Sequence, residues 1–282
     1  MVTGGTMTRK SKLMIAGIIG AATATASVTA ALVARAWVRH DPHFIRSTSY
    51  GPAFIYTSYN QKGVPVRLLT VGGTVQSASY MDQNRYELPF EYFRAFARAT
   101  REAGLRAQRV LVLGGGGYAY PKYLIAHDAN VTVDVVEIDP EITALAHRWF
   151  YLDSLKREFK TQITGRLTNI CADAVSYLQY SDAIYDVIIN DAFAAGTPVS
   201  ALVAEAGAAS VHKHLSHNGL YLVNYVVDKT GIAGLQKVVD VLSHEFEQVY
   251  LVDACDEEFS NSENYLIIAT DGEYSFSNTI GF

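Results

Sequence analysis

Chemistry in this chain rests on a run of four glycines and three carboxylates. The apolar run Val110-Leu111-Val112-Leu113 stops at Gly114, Gly115, Gly116 and Gly117, and a second apolar run ends in Glu137. Glycines directly after a strand let a ligand approach the backbone closely, and the helix that follows offers unpaired N–H groups. An acid roughly 20 residues further on, at the tip of the next strand, is placed to accept hydrogen bonds from ribose hydroxyls. Glu137 takes that role, whereas Asp139, followed by Pro140, has the pattern of a helix cap. Asp173, in Cys171-Ala172-Asp173-Ala174, can accept from an adenine amino group or cap the next helix. Asp191 follows Asp186-Val187-Ile188-Ile189-Asn190 and faces whatever lies beyond the nucleoside, so it is the candidate to bind and deprotonate an attacking amine. The glycine spacing is not G-x-G-x-x-G, which favours adenosyl-type ligands over NAD.

The elements that must position these groups alternate from residue 109 onward. Strand patterns fall at 109–113, 131–137, 166–171, 185–190, 219–226, 248–252 and 265–269, and helix patterns at 140–151, 172–180, 199–215 and 232–245. Alternation of this kind implies a doubly wound parallel sheet with its ligand outside the carboxyl ends of the strands. The last two strands have only a polar stretch between them, so they can pair as a hairpin with one strand antiparallel. That is the seven-stranded Rossmann-like layout of class I adenosylmethionine-dependent folds. Before it, residues 47–86 carry short β-like runs broken by the turn signal Asn60-Gln61-Lys62-Gly63, which indicates a small antiparallel β domain. A helix pattern at 87–103 opens the main domain, 87–282.

Residues 1–36 read differently. A short basic start is followed by 13–34 without a charge, in the length range of a membrane-spanning helix. A cleaved signal peptide fits the same pattern, with Val28-Thr29-Ala30 as its small-residue site; an uncleaved hydrophobic helix anchoring the protein to a membrane is preferred. The net charge of -5 leaves no basic footprint for nucleic acid. Cys171 and Cys255 form neither a metal motif nor a disulfide framework; they read as two buried thiols, and no metal is implied. Histidines 212, 214 and 217 fall at a helix end, where they favour its C-terminus.

Val75-Gln76, Asp82 and Tyr86, the glycine run, Val136-Glu137-Ile138-Asp139, Ala172-Asp173-Ala174 and Ile189-Asn190-Asp191 together resemble the spermidine synthase (polyamine aminopropyltransferase) family. The resemblance implies transfer of an aminopropyl group from decarboxylated S-adenosylmethionine to an amine such as putrescine. It implies Glu137 on the ribose, Asp173 and Ala174 at the adenine, Gly114, Gly115 and Gly116 beneath the cofactor, and Gln76 and Tyr86 lining the substrate cleft. Asp191 would take the amine proton, with Tyr86 orienting it. A cofactor made in the cytosol places the catalytic domain of an anchored protein on the cytoplasmic side; a homodimer stays open.

The departures are as specific as the matches. The family's acid after three glycines is Gly117 here, and its D-S/T-x-D-P loop is Asp191-Ala192-Phe193-Ala194-Ala195. Each lost charge-assisted contact costs a diamine roughly 1.5–3 kcal/mol unless Glu87 or another acid substitutes. Two alternatives follow: a methyltransferase-like enzyme using intact S-adenosylmethionine, or a non-catalytic nucleoside-binding relative.

Overall fold

The computed structural model describes residues 44–105, 108–194, 197–198, 200–227, 231–256 and 263–281. Four strands come first: β1 (Phe44–Thr48), β2 (Gly51–Tyr59), β3 (Pro65–Val71) and β4 (Thr74–Tyr80), an antiparallel meander in sequence order. The Asn60 side chain sets the β2–β3 turn by accepting from the backbone N–H groups of Lys62 and Val64. Alternation then sorts the faces. Ala53, Ile55, Leu69 and Val71 pack on Ile142, Leu145 and Phe150, while Val66, Leu68 and Ala78 join the main core.

Helix α1 (Glu91–Glu102) buries Tyr92, Phe93, Ala95, Phe96 and Ala99, a stripe at helical spacing. After it come β5 (Arg109–Leu113), α2 (Ala119–His127), β6 (Thr132–Glu137), α3 (Pro140–Trp149), α4 (Leu152–Glu158), α5 (Thr161–Thr164), β7 (Leu167–Cys171), α6 (Ala174–Tyr180) and β8 (Tyr185–Asn190). A two-residue ribbon, β9 (Phe193–Ala194) with β10 (Thr197–Pro198), leads to α7 (Glu205–Lys213), β11 (Leu215–Val226), α8 (Ile232–Glu245), β12 (Gln248–Asp253) and β13 (Asn264–Thr270). Seven strands make one sheet in the order β12-β13-β11-β8-β5-β6-β7. β13 runs antiparallel to both of its neighbours, and the pairs from β11 to β7 are parallel. The fold is Rossmann-like, of the adenosylmethionine-dependent methyltransferase type, with the C-terminal hairpin the sequence pattern indicates. Both sheets lie within one compact unit, Phe44–Phe282. Ser49 donates its N–H to Asp139, and Arg67 donates to the carbonyl of Trp149, which tie the small sheet to α3.

Several expectations are corrected. The helix pattern over 140–151 ends two residues early, at Trp149: Phe150 is fully buried, Tyr151 takes a left-handed φ of 61°, and α4 starts at Leu152. The pattern over 199–215 is a short 3-10 turn at Ser200–Leu202 followed by α7, and β11 starts four residues earlier than its apolar run. Cys171 is exposed and Cys255 half-buried, both as free thiols rather than core residues. The N-terminal hydrophobic helix expected within 1–36 lies outside the described residues. The membrane-anchored localisation is corrected too, since no helix among the described residues is long and apolar enough to cross a membrane.

Candidate functional site

The carboxyl ends of β5, β6 and β8 open into a cavity of about 210 Å³. Gly114, Gly115, Gly116, Glu137, Asp173, Ala174, Gln76 and Asp191 all line it. Gly114 must be glycine: its φ is +97°, and a Cβ there would lie 2.4 Å from the carbonyl oxygen of Asp191. β5 and β8 thus meet at a point too tight for any side chain, and the glycine loop and the Asp191 loop are fixed against each other.

Glu137 is 9% exposed at the cavity wall. One carboxylate oxygen accepts from Gly115 N at 2.8 Å and Gly116 N at 3.3 Å; the other accepts from Asp139 N at 2.9 Å. Burial raises its pKa above the usual carboxylate range, and the three backbone donors pull it back. The carboxylate therefore organises the glycine loop and lines the pocket at once. Asp139 caps α3 through Glu141 N, as its proline neighbour indicates. Asp173 caps α6 through Ser176 N and also lines the cavity. Tyr50, from the β1–β2 turn, joins this rim; burial and then the charges of Glu137, Asp139 and Asp173 raise its pKa.

Asp191 stands where this cavity meets a second one of about 60 Å³. Burial pushes its carboxyl up to about 7, against a hydrogen bond from Asn224 Nδ2 at 2.9 Å that lowers it. A carboxyl near neutral pKa can both hold and release a proton at physiological pH. Phe90, Tyr92, Phe193, Asn224, Asp256 and Asn264 line the second cavity along with Gln76. Tyr92 stays protonated, since burial and the charges of Asp191 and Asp256 all oppose its ionisation. Among the described residues no Lys, Arg or His lines either cavity. Among the described residues there is no group of three or more His, Cys, Asp or Glu able to hold a metal.

Tyr86 is not brought to the site. Its hydroxyl donates to Glu158 at 2.9 Å, its ring packs edge-on against Phe159, and it lines neither cavity. Tyr92, six residues on and turned inward by α1, lines the second cavity instead. Glu87 pairs with His127 at the surface and supplies no charge to the pocket; Asp256 does. Sequence reading missed Asp256 because it sits 65 residues after Asp191, beyond β12, with no local pattern to mark it. Gly117 lies behind the cavity wall, where a Cβ would be 2.7 Å from Ser77 Oγ and 3.0 Å from the Phe150 ring. An acid at that position would therefore have to push Ser77 Oγ aside and crowd the Phe150 ring.

A profile of the spermine/spermidine synthase domain matches residues 90–232. The chain is 28% identical over 156 residues to a polyamine aminopropyltransferase of Thermococcus onnurineus (strain NA1), covering 55% of this chain and 51% of that one. It is 30% identical over 147 residues to an eEF1A lysine and N-terminal methyltransferase of Xenopus laevis, covering 50% of this chain and 20% of that one. A probable spermidine synthase from Corynebacterium glutamicum ATCC 13032 has a similar fold, with TM-score 0.68 over 84% of this chain and 82% of that one, at 22% identity. The chain thus spans about half the length of the first relative and a fifth of the second.

Proposed function

The chain belongs to the spermine/spermidine synthase family, and on that premise we propose that it is a transferase moving an aminopropyl group from decarboxylated S-adenosylmethionine to a small amine. In this reading Glu137 holds the ribose, Asp173 and Ala174 the adenine, and Gly114 to Gly116 let the nucleoside approach the backbone. The amine enters by the second cavity and meets Asp191. An ammonium has no lone pair, so the group must lose a proton before it attacks. Asp191 takes that proton first, and the freed lone pair on nitrogen then attacks the methylene carbon next to the sulfonium. The C–S bond breaks, its electron pair goes to sulfur, and neutral methylthioadenosine leaves. The walls align the two reactants, and no covalent intermediate with the protein is needed.

The observation that carries the reading is the place of Asp191, on both cavities and with a pKa of about 7. Methyl transfer from intact S-adenosylmethionine is the second reading, favoured by the absence of an acid at Gly117. Calorimetry with the intact and decarboxylated nucleosides, followed by a product assay with putrescine, separates the two. Binding of the decarboxylated form with spermidine formed supports the first reading; methyl transfer from the intact form overturns it. An Asp191→Asn variant is expected to keep nucleoside affinity within about threefold and to lose about 10²–10⁴-fold in turnover. Undiminished turnover would remove Asp191 as the base.

A further inference from the structure

Asp191 is held by two asparagines in series. Asn224 Nδ2 donates to Asp191 Oδ1 at 2.9 Å, and Asn264 Nδ2 donates to Asn224 Oδ1 at 3.0 Å. Both amides are buried, at 3% and 6% exposure, so neither has bulk water to fall back on. Strand register explains their meeting. Asn224 on β11 pairs with Leu266 of β13, and Asn264 is two residues along, on the same face and diagonal to Asn224.

An amide can present either its NH₂ or its carbonyl oxygen, and its partners decide which. The Asn264 donor claims the oxygen of Asn224, and the NH₂ of Asn224 must then point at Asp191. A donor aimed at Oδ1 stabilises the ionised carboxylate and keeps a proton off that oxygen. The proton from substrate is thereby directed to Oδ2. Turned the other way, Asn224 would aim a lone pair at Asp191 and favour the protonated acid, which cannot act as a base.

We propose that Asn264, from the last strand of the sheet, is a positioning residue that fixes the Asn224 amide and so sets which oxygen of Asp191 takes the proton and at what pH. Deepening the transfer mechanism above, this rests on Asp191 being the base. The other titratable groups facing Asp191 across the second cavity are Tyr92 from α1 and Asp256 from the segment after β12. The side-chain hydrogen bond that reaches Asp191 Oδ1 comes from Asn224.

The test is a carbon-detected NMR titration of the Asp191 carboxyl in the full chain, alongside the pH profile of transfer to putrescine. Asn264→Asp, nearly the same shape, puts an acceptor where a donor stood and reverses the amide. It is expected to raise the Asp191 midpoint by about one pH unit or more, cutting the ionised fraction below the midpoint about tenfold. Asn264→Ala is expected to raise it by less than Asn224→Ala does. The Asn224→Ala/Asn264→Ala pair should match Asn224→Ala alone, because Asn264 acts only through Asn224. An unmoved midpoint in folded Asn264→Asp, or single-variant shifts that add in the pair, overturns the relay. The NMR midpoint needs no turnover, so a protein that transfers nothing to putrescine refutes the transfer reading while the relay is still decided.

Discussion

Replacing Gly117 with aspartate restores the acid that the family resemblance leads one to expect, and the structure says it will not fit unaided. The new Cβ would lie 2.7 Å from Ser77 Oγ, 3.0 Å from Phe150 Cδ1 and 3.1 Å from Ser77 Cβ. Phe150 is fully buried and Ser77 is 2% exposed, so neither can retreat freely. Overpacking of this kind costs about 1–3 kcal/mol. In a chain of this size each kcal/mol moves the melting temperature by about 2–4 °C, so Gly117→Asp should melt some 2–12 °C lower. Adding Ser77→Ala removes the shortest contact and leaves only the 3.0 and 3.1 Å ones. The double variant should regain at least half of the loss. Where it folds, the added carboxylate lies behind the cavity wall, so the preference between the decarboxylated and intact nucleosides should stay close to the parent's. Calorimetry on both nucleosides and scanning calorimetry on the three proteins read these quantities. A Gly117→Asp protein as stable as the parent, with no gain from Ser77→Ala, would refute the steric argument.

Gly114→Ala forces a side chain onto the Asp191 carbonyl and into a left-handed backbone, so it should destabilise by about 2 kcal/mol or more and depress turnover further than stability explains. Lys122 is buried with its ammonium on Phe150 O and Ser79 Oγ; burial, then Arg67, lowers its pKa from 10.5 to about 7. The folded state thus resists protonation, a cost fully present below about pH 7 that fades as pH approaches 10.5. The unfolding free energy of the parent, from urea titrations, should therefore rise relative to that of Lys122→Met between those values, by an amount on the order of 4 kcal/mol, and a constant difference would count against it. His212 bridges Glu245 and Asp271 at 2.9 and 2.6 Å; burial lowers its pKa, but the two bonds outweigh burial and raise it above 6.5. Its stabilisation is full below that value and is lost as pH rises through the raised one. His212→Gln should then be most destabilising near pH 5.5 and least near pH 8.5, by thermal melts at both.

The asparagine turn, the strands at 109–113 and 185–190, the helix at 232–245 and the C-terminal hairpin were all legible along the chain. These depend on near neighbours: apolar runs, glycine breaks and caps such as Asp139-Pro140. The helix read over 140–151 stops two residues sooner because Phe150 is buried against the small sheet, which periodicity does not register.

The carboxylates at strand ends could be picked out in the same way, because a parallel sheet fixes where its ligand edge must be. Their neighbours could not. Tyr86 and Tyr92 are alike as residues, and only the direction of α1 puts the second in the cleft and leaves the first on Glu158. Asn224 reaches Asp191 from β11, Asn264 backs Asn224 from β13, and Asp256 shares their cavity from the segment after β12, at sequence distances that carry no periodic signal. Sequence alone determined the order of strands and the acids that end them, since local spacing encodes both. Tertiary structure decided the raised pKa of Asp191 and the crowding around Gly117, because burial and close contact arise only when distant segments meet.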